Sequence, residues 1–288
     1  MGTSGTFGGS KHSLVPSWVG DPTPSASPTA TDPNGTDGAP SDGDDGKSPV
    51  ADAPRAYPPI RSPGVGSGLG DARGDITRGA RNSDSRSIRR GASKYVSASG
   101  GGGGAARRMS SSRATAGGIA NFARSFLVDG PVEALRTFNL EALVGAPAVD
   151  VFVALTDALC PPGGTIDEAI ARDAMLETVA ALAAAGVGNF DDMTQSDLQE
   201  FFIGVVSRSI EGKILNEVGT NSIRVAASVA AVERTQRMLH DFVDGCVRDR
   251  FDTTGTSLAD ITSGQIEGFV SDLYVAAFDL MQTLGEAQ

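Results

Sequence analysis

Residues 163–186 read GGTIDEAIARDAMLETVAALAAAG. Thr165, with Glu168 three positions on, has the form of a capping box: the hydroxyl accepts from the backbone N–H of residue 168, and the carboxylate reaches back to that of residue 165. Asp167 adds negative charge to the same first turn, where the helix dipole favours it. Ile166, Ile170, Leu176, Val179 and Ala183 lay an apolar stripe along one side, and Gly186 ends the pattern. A helix of this kind must bury its stripe against something, so its neighbours decide the fold.

Those neighbours are helical too. Downstream, a start at Thr194–Asp197 leads into Leu198, Phe201, Phe202, Val205, Ile210, Ile214 and Val218 at three-and-four spacing, with Gly219 as the stop. The spacing predicts a long helix over 222–250 with Val225, Val229, Val232, Leu239, Val243 and Cys246 inward. A last helix over 263–284 would bury Ile266, Phe269, Val270, Leu273, Ala277, Leu280 and Leu284. Upstream, Ile119, Phe122, Ala123, Phe126 and Leu127 mark a face that stops at Gly130-Pro131. Short helices follow around 132–138 and 140–144, and another from Pro147 to the break at Pro161-Pro162. No strand-period segment competes. Residues 115–288 therefore read as an all-α bundle of four or five longer helices with shorter ones between, and 175 or so residues suffice for one core.

The charge is divided in the same way. Residues 115–288 hold 10 basic and 25 acidic residues, against 14 and 10 in residues 1–114, which also hold most of the chain's 37 glycines and 15 prolines. Composition predicts that this long Gly/Pro/Ser-rich N-terminal arm is largely disordered. It divides into an N-terminal tail (1–18), an acidic Pro/Ser/Gly linker (19–54) with seven acids against Lys47, and a basic Gly/Arg-rich arm (55–114). The linker prolines and its self-repulsion make it a spacer. The basic arm carries Arg81, Arg86, Arg89, Arg90 and Lys94, with a short helix plausible over 76–96. Gly100–Gly104 reads as a flexible joint. The basic cluster suits electrostatic contact with phosphates or an acidic surface. With Tyr95 as its only nearby aromatic, base stacking is poorly supported, and the favoured readings are an arm that docks on the chain's own acidic bundle or simply a solvated stretch.

The acidic half argues against generic nucleic-acid binding by that half. Cys160 and Cys246 sit in apolar helical patterns and read as buried free thiols of a reducing compartment. No secretory leader opens the chain and no eighteen-residue apolar run occurs, which leaves a cytoplasmic protein without a membrane partner as the expectation. The catalytic inventory is poor. His240 and Asp244 could share a metal but lack a third ligand, so a surface histidine is the favoured reading, and no metal or cofactor is expected. The glycine-rich stretch at 64–75 has Asp71 where a dinucleotide fingerprint needs its last glycine, and it follows no strand. Asp191-Asp192 and Asp167-Glu168 sit at helix starts, which the dipole explains. The folded half reads as a non-enzymatic scaffold.

The tail MGTSGTFGGSKHSLVPSW is less featureless than its composition. Gly2 after Met1 is where an initiator methionine is usually removed, and a free glycine amine, with a pKa of about 7.7–8.0, is partly neutral and nucleophilic at pH 7. Thr3, Ser4 and Gly5 follow, able to enter a narrow groove in extended form. Leu14, Val15, Pro16 and Trp18, the only tryptophan, form a compact apolar anchor. The first six residues also satisfy a myristoylation pattern, which makes a lipid-anchored scaffold an alternative.

Three stretches together, MGTSGTFGGS at the start, LVPSWV behind it, and PPGGTIDEAIARDAMLETV at the capped helix, resemble the QatB family, the B component of the four-gene bacterial anti-phage system called Qat. The resemblance implies partners encoded alongside: an ATPase, a QueC-like enzyme and a TatD-like nuclease. QueC enzymes activate the carboxylate of 7-carboxy-7-deazaguanine with ATP and deliver an amine to it. In related defence systems a protein's N-terminal glycine is that amine. By resemblance, Gly2 would be the modified residue, Thr3, Ser4 and Gly5 would lie in the enzyme's channel, and Leu14–Trp18 would dock nearby. A nucleic-acid-associated adaptor acting through residues 55–113 is the other alternative.

Overall fold

The computed structural model describes residues 68–162, 164–218 and 228–287. Ten α-helices run through them: α1 (Leu69–Asn82), α2 (Ser85–Ala98), α3 (Gly101–Arg107), α4 (Ser110–Asp129), α5 (Pro131–Thr137), α6 (Ala148–Leu159), α7 (Ile166–Ala184), α8 (Gln195–Val218), α9 (Val229–Thr254) and α10 (Ile266–Glu286). Single 3-10 turns lie at Glu141–Leu143, Phe190–Asp192 and Leu258–Asp260. The described residues contain no strand beyond an isolated bridge between Pro147 and Asn189, so the all-α expectation holds.

The capping box is present as read: Thr165 accepts from the Glu168 N–H at 3.3 Å, and the Thr165 N–H donates to the Glu168 carboxylate. The face it launches is rotated from the expected one. Ile170, Ala171, Ala174, Met175, Thr178 and Val179 are buried, whereas Ile166 is 67% exposed and Leu176 38%. Alanine and threonine are small enough to let α8 approach closely, so they serve as core where a stripe of large residues suggests otherwise. Val229 and Leu284 likewise end exposed, at the outer ends of α9 and α10, while Leu239, Val243, Cys246, Ile266, Val270, Leu273 and Ala277 are buried. Helix α9 is described from Val229, with Ser228 as its N-cap; the expected stretch 222–227, with Val225, and the expected stop at Gly219 lie outside the described residues.

The core is built on α4, α8 and α10. Phe152 of α6 stacks on Phe201 of α8 with centroids 3.9 Å apart and meets Phe122 and Phe190 edge-on, while Phe138 packs edge-on against Phe122 and Phe126 against Phe190. A second aromatic group, Phe202, Phe251 and Phe269, joins α8 to α9 and α10. Tyr274 is fully buried and satisfies its hydroxyl with Ser209 Oγ at 2.8 Å, so this polar group does not sit orphaned between α8 and α10.

The domain begins well before residue 115, which falls inside α4. Helices α1, α2 and α3 are part of the same core: Ile76, Ile88, Ala92, Tyr95 and Val96 are each at most 1% exposed. The single short helix expected over 76–96 is two helices. Ser83 adopts a left-handed conformation (φ 53°) and Asp84 caps α2, accepting from the N–H groups of Arg86 and Ser87. The glycine run 100–104 is no joint. Gly100 and Gly101 have φ of 90° and 75°, turning the chain into α3. An added Cβ on Gly102 would lie 2.6 Å from the Val275 carbonyl oxygen of α10. Glycine is used here for close helix approach.

Candidate functional site

The expected basic cluster is divided by the structure into two uses. Asp75 of α1 is 3% exposed, and its carboxylate draws three cations: Lys94 at 2.7 Å, Arg78 at 2.8 Å and Arg90 at 3.7 Å. A buried carboxylate is tolerated only when paired, so Arg90 and Lys94 spend their charge holding α1 to α2. Arg89 lies over the Phe242 ring of α9 at 5.6 Å, a cation–π contact between helices. Arg81 and Arg86 are exposed. The five residues therefore do not form one free electrostatic surface; three of them are built into helix packing.

A second polar chain runs through the bundle. Arg108, just after α3, pairs with Glu217 at 3.0 Å; Lys213 lies 3.4 Å from Glu217 and 3.3 Å from Asp167; and Asp167 accepts from the Ser111 N–H at 2.9 Å. Asp167 thus serves α7's first turn and also receives the start of α4. Arg73 of α1 donates to the Val218 and Glu217 carbonyls, capping the C-terminus of α8. The basic segment docks on the acidic helices through these contacts. Tyr95 is buried beside Glu217, and its phenol pKa is pushed up by burial first and by that carboxylate second.

A concavity lined by charged side chains lies between α7, α8 and α9, a cleft of about 340 Å³. It is lined by the apolar Leu182, Val187 and Phe201 and by Arg208, His240 and Arg248. His240 is not a surface histidine: its Nδ1 is 2.9 Å from Glu211 of α8, and its side chain is 28% exposed. The hydrogen bond to Glu211 raises its pKa above the ordinary value, against the opposing effect of burial. Asp244 is engaged by protein groups, accepting from Ser207 Oγ at 3.0 Å and from Arg248 Nε at 2.6 Å. Among the described residues no three His, Cys, Asp or Glu side chains gather to hold a metal ion. Glu211 carries no sequence signal for this role, because its pairing with His240 spans 29 positions of chain that only packing brings together, and Arg208 reaches the same cleft by the same packing.

Cys160 and Cys246 are buried free thiols, as read. Burial pushes the Cys246 thiol up to about 12 and raises that of Cys160 as well. None of the described helices is long and apolar enough to cross a membrane. The tail residues Gly2, Thr3, Ser4, Gly5, Leu14, Val15, Pro16 and Trp18, the linker, and residues 55–67 lie outside the described residues.

Fold and interior together define an all-α protein whose buried charges tie helices to one another. Its family is given by the sequence: residues 100–281 match the QatB family, described as Qat anti-phage system associated protein QatB. That match covers more than half of the chain, and the chain belongs to this family; it is a component of a Qat anti-phage system. No curated protein and no solved structure matches it.

Proposed function

We propose that the chain is a non-enzymatic subunit of the Qat defence complex, one that binds the QueC-like partner enzyme and presents its N-terminal glycine for conjugation to a 7-deazaguanine. Family membership carries this reading, because it places the chain in a multi-component system. The tail supports it: Gly2 offers a low-pKa amine without a side chain, Thr3, Ser4 and Gly5 can extend into a channel, and Leu14, Val15, Pro16 and Trp18 offer an anchor. The step is an acyl transfer. The partner adenylates the deazaguanine carboxylate, the neutral Gly2 amine attacks the acyl carbon, an amide C–N bond forms, AMP leaves, and the amine's proton passes to solvent or a base. The chemistry belongs to the partner, and the helical domain anchors the substrate.

Intact mass of the full chain co-expressed with the QueC-like partner tests the reading. The expected result is an adduct of one deazaguanine acyl group on the chain lacking Met1, lost in Gly2→Pro. An unchanged mass, or an adduct that survives Gly2→Pro, would refute the conjugation. Partner capture by the full chain but not by a Leu14→Ala/Trp18→Ala variant tests the anchor separately. The ATPase and the TatD-like nuclease of the same system are further partners under this proposal. The nucleic-acid adaptor reading loses support from the pairing of Arg90 and Lys94 with Asp75.

A further inference from the structure

The cleft between α7, α8 and α9 has a feature the family reading does not use: its carboxylates and Arg248 satisfy one another or a helix cap, whereas Arg208 and His240 do not find comparable partners. Asp197 accepts from both the N–H and the hydroxyl of Thr194, at 2.8 and 2.7 Å. Glu200 places one oxygen on each terminal nitrogen of Arg248, both at 2.6 Å, and Asp244 takes the remaining Nε of that guanidinium together with Ser207. Arg248 and the three acids lining the cleft are thus consumed by one another and by a helix cap. What remains is donor capacity. Arg208 has only long contacts: Thr178 Oγ1 at 3.5 Å, the Gly204 carbonyl at 3.4 Å and the largely exposed Glu177 at 3.9 Å. His240 uses Nδ1 on Glu211 and leaves Nε2 without a protein partner among the described residues.

A guanidinium and an imidazole with one free N–H are the groups that grip a carboxylate or phosphate. The orienting carboxylate behind the histidine fixes the ring and favours its protonated, two-donor form. Leu182, Val187 and Phe201 give the same cleft an apolar lining, suited to an apolar body of modest size. We propose that this cleft binds a small organic anion, a carboxylate or phosphate monoester on an apolar skeleton, with Arg208 and His240 holding the charged end. The volume, about 340 Å³, lies in the lower range of small-molecule sites. The site lies within the described helical domain and does not depend on the tail, so its test is independent of the conjugation at Gly2.

The chain has two histidines, His12 and His240, so imidazole resonances report on the cleft almost without overlap. The full chain is titrated by NMR with 2-naphthoate, 2-naphthyl phosphate, inorganic phosphate and neutral 2-naphthamide, and His240→Gln assigns the signals. The expected result is a saturable shift of the His240 resonance with naphthoate or naphthyl phosphate, at least about tenfold tighter than with naphthamide, and a rise in the His240 titration midpoint on binding. The pH at which it titrates is read with Glu177 on α7, Glu211 and Arg208 on α8 and Asp244 on α9 as the charges facing it. Arg208→Gln should weaken the anion at least about tenfold, and Arg208→Lys less. Which of the two charged probes binds tighter assigns the headgroup. Equal shifts from naphthoate and naphthamide in the unmodified protein, which needs no variant to fold, would overturn the proposal, as would inorganic phosphate binding as tightly as the naphthyl anions or shifts confined to His12.

Discussion

Replacing Gly102 and Gly103 by alanine, one at a time, separates a packed glycine helix from a flexible joint. A Cβ at Gly102 would come within 2.6 Å of the Val275 carbonyl and 2.3 Å of Asp279 Oδ1, the atom that accepts the Gly102 N–H at 3.1 Å. The Val275 contact is with backbone, so α3 and α10 must separate. Overpacking of this kind costs about 1–3 kcal/mol, reduced by up to about 1 kcal/mol because alanine is the better helix former. The net expectation is a loss of about 1–2 kcal/mol. Gly103, one position on, meets only the tip of Arg107 at 3.7 Å, so alanine there should gain about 0.5–1 kcal/mol. For a domain of this size 1 kcal/mol is worth about 2–4 °C. Gly102→Ala should therefore lower Tm by about 2–8 °C while Gly103→Ala raises it by about 1–4 °C, followed by circular dichroism at the helix band in the full chain. Two variants within half a degree of each other, or a stabilised Gly102→Ala, would refute the packing argument and return the glycine run to a linker.

Further expectations rest on other contacts. Asp75→Asn removes the charge that holds Arg78, Arg90 and Lys94 between α1 and α2; because those cations are 59%, 39% and 42% exposed, solvent screens much of the loss, and about 1–2 kcal/mol by urea unfolding is expected. Thr165→Ala should cost about 1 kcal/mol by the same assay through loss of the capping box on α7. Glu211→Gln tests the His240 pair. The folded pKa of His240 is raised above its ordinary 6.5, so the pair's contribution is complete below that value and is lost as pH rises through the folded pKa. The destabilisation by Glu211→Gln should accordingly be larger at about pH 6 than at about pH 8.5, and a pH-independent difference would remove the ion pair from the account. Cys160 and Cys246, buried and with raised pKa values, should react with a thiol reagent only after unfolding; burst labelling of the native chain would contradict their burial.

The nucleic-acid question narrows for a structural reason. Seen as a list, Arg81, Arg86, Arg89, Arg90 and Lys94 form a basic stretch; in space, a single buried aspartate, Asp75, takes two of them and the Phe242 ring takes a third. The remaining exposed pair, Arg81 and Arg86, is a small footprint for phosphate binding. The conjugation reading depends instead on residues 1–18, whose arrangement lies outside the described helices.

The sequence by itself determined the elements whose signals are local. The capping box at Thr165 and Glu168, the break at Pro161-Pro162 and the all-α class follow from hydrogen-bonding and periodicity within a few residues. It also carried enough of the QatB pattern to give the family. What only the tertiary structure decided are the features that depend on partners distant in the chain. Glycine and alanine mean freedom when nothing packs on them and close approach when a helix does, so 68–114 looked like an arm until α10 was placed against Gly102 and against Ser93, whose hydroxyl donates to the Gln282 carbonyl. Charges look free until their counter-ions arrive, as with Asp75 among its cations and Glu211 beside His240. Local chemistry is written in the order of residues, and the meaning of a small or charged side chain is set by what the fold puts opposite it.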